Sequence, residues 1–283
     1  MKNELYELYQ QCFPTLKMKK ENFLHKIDYD HSEIIMEQEH SQMVGVAVVN
    51  QNSILLLCVA PRMQKKGYGT KLLRRAEDLI RKNKYDHVVL GCGRNYLFPG
   101  VPLKEVKSSK AFFSKYGYLS DYESVDMELS LQDFNFKSTK VPELEIDIQY
   151  GFVDRSKRAE LFEVVRAVNE SWVSYYQNSL DSAYVAVSNG NIVGFQLVSW
   201  ADPTSGINVS DIYGTVGCVG VKPQVRGQGI GIHMVAHGMK ELKTQGCTKA
   251  FIGFTHLENW YAKLGCKTTQ RYWMGAKELG AGA

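Results

Sequence analysis

The sequence has no long apolar run, no large excess of charge of either sign and no leader-like start, and each absence excludes a class of protein. No stretch approaches the ~18 consecutive apolar residues of a membrane span. The net charge is only +4, which does not by itself indicate a nucleic-acid-binding protein. The first residues are polar and lack the apolar core of a signal peptide. We therefore expect a cytoplasmic protein that binds neither a membrane nor nucleic acid.

The cysteines are few and scattered. None of the six forms a CxxC pair, and none combines with the seven histidines at the spacing of a zinc site, so we predict no metal. Sparse, unpaired cysteines are typical of a reducing compartment. With 44% hydrophobic and 23% charged residues, the 283-residue chain has the composition of a globular protein, and at roughly 150 residues per domain it is long enough for two domains.

One short motif occurs twice. Both copies read Val-x-Pro-x-x-[Gln/Arg]-x-x-Gly-x-Gly, and they begin at Val59 and Val221, an offset of 162 residues (221 minus 59). Each copy follows a short aliphatic run that predicts a strand and precedes an amphipathic pattern that predicts a helix. A glycine turn between strand and helix is the geometry of an anion site, because glycine permits close approach and the helix N-terminus presents unpaired N–H groups.

A second element is repeated downstream. It reads Phe112-Phe113-Ser114-Lys115-Tyr116-Gly117 in the first half and Trp260-Tyr261-Ala262-Lys263-Leu264-Gly265 in the second. The first half is 14 residues longer between motif and element, with 49 residues from Gln64 to Phe113 against 35 from Arg226 to Tyr261. The extra residues fall around 94–109, where Phe98 begins a turn-rich stretch. We interpret this stretch as either a lid over the first cleft or a surface turn.

Two common nucleotide-binding loops do not fit the repeated motif. A P-loop needs GxxxxGK[ST], and a Rossmann loop needs GxGxxG, whereas the last position is Leu72 in one copy and Met234 in the other. Instead, [Gln/Arg]-x-x-Gly-x-Gly after a strand resembles the pyrophosphate-binding motif of the GNAT acetyltransferase superfamily. The residues Tyr261, Lys263 and Gly265 resemble that family's downstream Tyr-x-Lys-x-Gly element. Nearly the whole chain then resembles two tandem copies of the family.

The resemblance implies an α/β fold with two mixed, largely antiparallel sheets flanked by helices, and acyl transfer from acetyl-CoA as co-substrate. It also implies that main-chain groups of the loop hold the diphosphate of CoA and that the preceding strand holds the pantetheine. The cofactor-binding residues so implied are Val59, Gln64, Lys65, Lys66, Gly67, Tyr68 and Gly69 in the first half, and Val221, Arg226, Gly227, Gln228, Gly229, Ile230 and Gly231 in the second.

The same resemblance assigns proton donation to the departing thiolate to Tyr261. Phe113 occupies the equivalent position of the first half and has no hydroxyl, so we expect catalysis in the second half. The attacking amine must first lose a proton, through a carboxylate or ordered water. Candidate carboxylates are Glu258, Asp202 and Asp211.

We expect two domains, near 1–131 and 143–283, joined by a polar linker at 132–143. Hairpins are predicted at 33–37 with 43–49, and at 183–188 with 192–199, where Asn189 and Gly190 favour the turn. A strand is predicted at 145–150 and a helix at 3–11. The first half lacks an equivalent of that strand, and we hypothesise that the stretch 268–274 fills the edge of its sheet.

The expected function is therefore N-acetylation of a primary amine, on a small molecule or a protein, by the C-terminal domain; the oligomeric state cannot be read. A CoA-binding pseudoenzyme that senses or scaffolds is the alternative. A weaker one is nucleic-acid binding through Lys65, Lys66, Arg74 and Arg75, which lack interleaved aromatics.

Overall fold

The structure is a computed structural model that describes residues 1–93, 95–104, 108–139, 141, 143–144, 146–200 and 211–280. The chain divides into two compact units. The first comprises residues 1–125 together with the described residues from 270 onward, and the second comprises the described residues of 126–269. Within these ranges, no helix is both long enough and apolar enough to cross a membrane.

Helices and strands alternate along both halves, as expected of an α/β fold. The helices of the described residues are α1 (Lys2–Cys12), α2 (Lys20–Lys26), α3 (Tyr68–Lys82), α4 (Ser109–Lys115), α5 (Arg158–Val168), α6 (Val173–Asn178), α7 (Ile230–Thr244) and α8 (Glu258–Ala262). The strands are β1 (Glu33–Glu39), β2 (Gln42–Asn50), β3 (Ser53–Val59), β4 (His87–Leu90), β5 (Val101–Pro102), β6 (Glu123–Ser130), β7 (Gln149–Phe152), β8 (Ala183–Ser188), β9 (Asn191–Ser199), β10 (Tyr213–Val221), β11 (Lys249–Thr255), β12 (Lys267–Trp273) and β13 (Ala276–Glu278).

The first sheet has five strands in the order β1-β2-β3-β4-β13. Strands β1 to β3 are antiparallel neighbours, so the predicted hairpin at 33–49 is confirmed, and β3 pairs with β4 in parallel. Helix α3 covers this sheet, since its apolar stripe of Leu72, Leu73, Ala76 and Ile80 is fully buried in the core.

The C-terminal segment joins this first sheet, but differently from the expectation. Residues 268–273 of the stretch 268–274 belong to β12 of the second sheet, so the hypothesis that this stretch fills the first sheet was wrong. The following strand, β13, pairs antiparallel with β4, and the β1 edge has no further strand among the described residues. The hydrogen-bonding partner of a short strand is a tertiary choice that the sequence pattern does not specify.

The second sheet has eight strands in the order β5-β12-β6-β11-β10-β9-β8-β7. Strands β7 to β10 are antiparallel neighbours, and β10 pairs with β11 in parallel. The hairpin predicted around Asn189 and Gly190 is confirmed, with both residues at positive φ. The strand predicted at 145–150 begins only at Gln149. Helix α7 buries Val235, Met239 and Leu242, which confirms its predicted stripe.

A charged cluster ties α3 to the edge strand of the first sheet. The carboxylate of Glu37 on β1 is buried and accepts hydrogen bonds from Lys71 at 2.6 Å and Arg75 at 2.5 Å. Burial alone would raise the pKa of Glu37, but the two cations outweigh it and hold the pKa below the ordinary value of 4.5. The pair therefore stabilises the fold at neutral pH, and this stabilisation disappears as the pH falls through the lowered pKa.

Replacing Glu37 by glutamine is expected to lower the free energy of unfolding by about 1–2 kcal/mol at pH 7, because the partners are half exposed and solvent weakens the pair. The difference from the wild type should shrink as the pH falls below 4.5, because the carboxyl of the unfolded chain is then protonated and folding must release that proton to form the ion pairs. Urea denaturation at pH 7 and pH 3.5 measures both values. Glu33→Gln, an exposed change on the same strand, is the control. A difference that grows at low pH would contradict the assignment.

Candidate functional site

The two repeated loops share one backbone conformation. Gly67 and Gly229 cap α3 and α7 with φ of +91° and +87°. Two residues earlier, Lys65 and Gly227 are also left-handed, with φ of +61° and +83°. Glycine adopts this region without penalty, whereas a side chain such as that of Lys65 is uncommon there. Both halves therefore keep the turn that brings main-chain N–H groups to a helix N-terminus.

The Gln or Arg of each motif closes its loop onto the preceding strand. The Nε of Arg226 donates to the carbonyl oxygen of Val221 at 3.0 Å, and the Nε2 of Gln64 donates to that of Val59 at 3.1 Å. Because both side chains hydrogen-bond to the main chain, they hold the loop in place. Binding of a diphosphate would therefore depend on the main-chain N–H groups that follow.

The parallel strand pair next to each loop separates after a short contact. In the second unit the pairing of β10 with β11 ends at Thr215 and Phe251. In the first unit the pairing of β3 with β4 ends at Ile54 and Leu90. Beyond these points the strands of each pair are no longer hydrogen-bonded to each other.

In the second unit a cavity of about 800 Å³ lies beside the glycine loop and the end of β10, within the 300–1,000 Å³ range of small-molecule sites. The predicted cofactor-binding residues of this half line it together. They are Val221, Arg226, Gly227, Gln228, Gly229, Ile230 and Gly231. The dipole of the 15-residue helix α7 points its positive end at this loop, so the wall suits an anion.

Helix α8 supplies the opposite wall. Trp260 and Tyr261 line the cavity, and their rings meet edge to face at 4.7 Å between centroids. A side chain at Gly231 would lie 3.5 Å from the Trp260 ring, so the indole packs against the loop. Burial, reinforced by Cys266 and Cys218, raises the pKa of Tyr261, which keeps its hydroxyl protonated. A protonated phenol at the cavity wall can donate a hydrogen bond or a proton.

In the first unit, side chains of the chain itself fill the space between β3 and β4. The cavity left there measures about 50 Å³. Phe13, Phe98 and Phe113 line it, and all three are at least 93% buried. The thiol of Cys12 also donates to the carbonyl of Val59, at 3.4 Å, where pantetheine was expected. None of the seven predicted first-half residues lines this cavity.

The stretch after residue 94 takes part in this closure. Phe98 packs on Phe13 at 5.4 Å between centroids, and Val101–Pro102 forms β5, paired with the end of β12. The stretch is therefore neither a lid nor a surface turn but part of the core. Residues 94 and 105–107 of it lie outside the described residues.

Unlike Tyr261, neither of the two candidate bases that the structure describes is among the residues that line the cavity. Glu258 begins α8 but does not line the cavity, and its carboxylate accepts a hydrogen bond from Thr268 at 2.5 Å. Asp211 forms an ion pair with Lys249 at 2.9 Å. Asp202 lies outside the described residues.

The sequence pattern did not reveal three residues of the cavity wall. Val141, Glu143 and Ile146, from the expected linker and the residues after it, line the cavity. A polar segment with a single proline carries no signal for such a role, because only the fold shows which surface it crosses. No group of three or more His, Cys, Asp or Glu that could hold a metal ion is present among the residues the structure describes.

These features define an α/β protein in which a glycine loop at a helix N-terminus lines a cavity beside a pair of separating parallel strands. The family model described as acetyltransferase (GNAT) family matches residues 2–98 and 153–266, more than half of the chain. The chain therefore belongs to the acetyltransferase (GNAT) family, and its two matching regions confirm the tandem arrangement. No curated protein matches the sequence at a significant level.

Solved structures share this fold. A GCN5-related glucosamine N-acetyltransferase region of a fungal multi-domain GH3 β-N-acetylglucosaminidase is 25% identical, with a TM-score of 0.83, over 97% of this chain and 36% of the other. This chain thus spans about a third of that protein. A GCN5-related N-acetyltransferase from Sphaerobacter thermophilus is 18% identical, with a TM-score of 0.74, over 98% of this chain and 92% of the other. A tandem GNAT protein from the clavulanic acid biosynthesis pathway is 16% identical, with a TM-score of 0.69, over 100% of this chain and 96% of the other. The last two show the fold alone.

The difference between the two units predicts how many acetyl-CoA molecules bind to each chain. Calorimetric titration with acetyl-CoA is expected to give one site per chain, because Cys12 occupies the carbonyl of Val59 and aromatic side chains fill the space between β3 and β4. A titration that gives two equal sites would show that Phe13 and Phe98 move aside. Opening that cleft must expose buried aromatic surface at roughly 25 cal/mol per Å², which acetyl-CoA binding would have to offset.

Proposed function

We propose that the protein is an acetyl-CoA-dependent N-acetyltransferase, an acyltransferase of groups other than aminoacyl groups, and that its second unit carries the reaction. The observation that supports this most is the cavity of about 800 Å³ in which the glycine loop, the end of β10 and Tyr261 meet. Family membership supports the reaction class, and the closed cleft of the first unit favours the second unit over the first.

Binding would use main-chain groups. The N–H groups of residues 227–231 would donate to the diphosphate at the α7 N-terminus, and Val221 at the end of β10 would lie along the pantetheine. The acetyl group would then enter between β10 and β11, beyond the last paired residues Thr215 and Phe251. No metal is required for this arrangement of donors.

The reaction would proceed by direct transfer. The amine loses a proton to ordered water, since Glu258 does not line the cavity, and its nitrogen attacks the thioester carbonyl carbon. The C–N bond forms, negative charge develops on the carbonyl oxygen, and N–H donors stabilise that charge. The C–S bond then breaks, and the Tyr261 hydroxyl gives its proton to the thiolate.

The acceptor is a primary amine of a small molecule or a protein. The fungal relative at 25% identity is described as a glucosamine N-acetyltransferase region, which makes an amino sugar the first acceptor to test. The acceptor wall of such folds comes from loops, so the shared architecture alone does not choose among amines.

A CoA-binding sensor or scaffold is the second candidate, and the closed first unit is the observation that favours it. The first unit keeps the loop conformation although side chains fill the space between β3 and β4, which favours a role of this fold other than turnover. If the second unit also lacks turnover, acetyl-CoA would act as a regulatory ligand of the chain.

The deciding experiment is thiol release from acetyl-CoA in the presence of an amine panel. The panel contains glucosamine, free amino acids, polyamines and a lysine peptide, and mass spectrometry identifies the acetylated product. An acetylated amine formed at a saturable rate supports the enzyme. Tight acetyl-CoA binding without any product would support the sensor, and absence of binding would remove both.

A further inference from the structure

Strand β10 carries a bulge beside the cavity. Gly217 pairs with Leu197 of β9, and Gly220 pairs with Phe195. Cys218 and Val219 of β10 therefore lie opposite the single residue Gln196 of β9. The first of the two, Cys218, has a φ of +48°, which is rare for a residue other than glycine. Bulges leave a main-chain amide outside the ladder and are frequent beside active sites.

The bulge is held from its buried side by one hydroxyl. The hydroxyl of Tyr176 on α6 donates to the carbonyl oxygen of Cys218 at 2.8 Å, and Tyr176 is fully buried. Its ring packs edge to face on Phe195 at 5.3 Å between centroids. Phe195 in turn lies so close to Gly220 that a Cβ there would come within 2.2 Å of the ring. The backbone at 217–220 is thus fixed by neighbours on one side.

The other side of the bulge faces the cavity. Val219 and Gly220 line the cavity with Tyr261, and β10 has no β11 partner beyond Thr215. A trans peptide is planar, so the carbonyl of Cys218 and the N–H of Val219 point in opposite directions. A hydroxyl that holds the carbonyl toward the core therefore turns the N–H toward the cavity.

We propose that Tyr176 is a positioning residue for acyl transfer, which holds the Cys218–Val219 peptide so that the Val219 N–H donates to the thioester carbonyl oxygen of bound acetyl-CoA. This inference rests on the proposed function. Preorganised N–H donors stabilise charge that develops in the transition state more than they stabilise the bound substrate. Tyr176 should therefore affect the rate of acetyl transfer and have little effect on the affinity for acetyl-CoA.

Tyr176→Phe is the test. We expect kcat to fall by roughly 10- to 100-fold, somewhat less than the loss of a whole oxyanion donor, while the KM for acetyl-CoA stays within about threefold. The matched control is Tyr9→Phe, which removes another fully buried hydroxyl that donates to a main-chain carbonyl, that of Leu16 in the first unit. Both variants should lose similar thermal stability, and only Tyr176→Phe should lose kcat. Equal kcat in the two variants would overturn the proposal.

A second measurement does not depend on turnover. With acetyl-CoA labelled with ¹³C at the acetyl carbonyl, infrared difference spectra should show a lower carbonyl stretching frequency when the wild type binds it, and Tyr176→Phe should lose most of that shift. A wild type without the shift would overturn the proposal even if Tyr176→Phe fails to fold. If the shift is present and depends on Tyr176 but no amine is acetylated, the proposed function fails, and Tyr176 only orients the Val219 N–H toward a bound thioester.

Discussion

Replacing Gly229 by valine is expected to weaken acetyl-CoA binding by at least ~10²-fold, since hydrogen bonds to charged groups are worth about 1.5–3 kcal/mol each and at least two would be lost. Gly229 has a φ of +87° and begins the turn from which α7 starts. A β-branched side chain strongly disfavours this region, so the turn must rearrange and its N–H groups no longer converge. The dissociation constant from titration calorimetry, and thiol release at low acetyl-CoA, measure the loss.

The control for this change lies at the other end of the same helix. Gly246 follows the C-terminus of α7 with a φ of +83°, and a Cβ there meets nothing within 4 Å. Gly246→Val imposes the same backbone strain away from the cavity. It should lower stability by a similar amount without changing acetyl-CoA affinity. Similar affinity losses in both variants would mean that the effect is general destabilisation, and the anion-site assignment would then fail.

Local patterns were sufficient for the repeated elements. The glycines at 67 and 229 require positive φ, and the stripe that begins at Leu72 has helical spacing, so strand, loop and helix could be predicted in order. The Asn189-Gly190 turn likewise fixed one hairpin. Each of these elements depends on residues within about fifteen positions of one another, which is why sequence reasoning reached them.

The closed cleft of the first unit could not be predicted in the same way. Its lining brings together Phe13, Ile54, Phe98 and Phe113, which are widely separated along the chain. The motif of that half is intact and its loop has the expected backbone, so the motif alone predicted a second acetyl-CoA site. Whether a cleft is filled depends on tertiary packing, and hydrophobic residues fill a core regardless of the motif beside them.

The role of Tyr176 was also hidden in the sequence. An aromatic residue at the end of a helical pattern is most often core, and Tyr176 is core by burial. Its hydrogen bond to Cys218 joins residues that are 42 positions apart. The bulge at Cys218 interrupts the regular strand pattern, so the sequence pattern does not predict it. The Phe113 and Tyr261 difference, in contrast, was visible at once because the two elements align.

Replacing Tyr261 by phenylalanine is expected to lower kcat by ~10²–10⁴-fold, the usual contribution of a general acid, with the dissociation constant of acetyl-CoA unchanged within about threefold. Tyr261 lines the cavity, and burial raises the pKa of its hydroxyl above the ordinary value of 10. The proton is therefore present across the neutral range, and its loss should not limit the wild-type rate until the pH exceeds about 10.

Tyr184→Phe is the matched control for this change. Tyr184 is a buried tyrosine of the same unit that does not line the cavity, and burial raises its pKa to about 12. Its variant should keep kcat within about twofold. Full turnover by Tyr261→Phe would place the donor elsewhere or show that the thiolate leaves unprotonated. Because the raised pKa keeps the Tyr261 hydroxyl protonated at both values, the deficit of Tyr261→Phe should be similar at pH 6.5 and at pH 9.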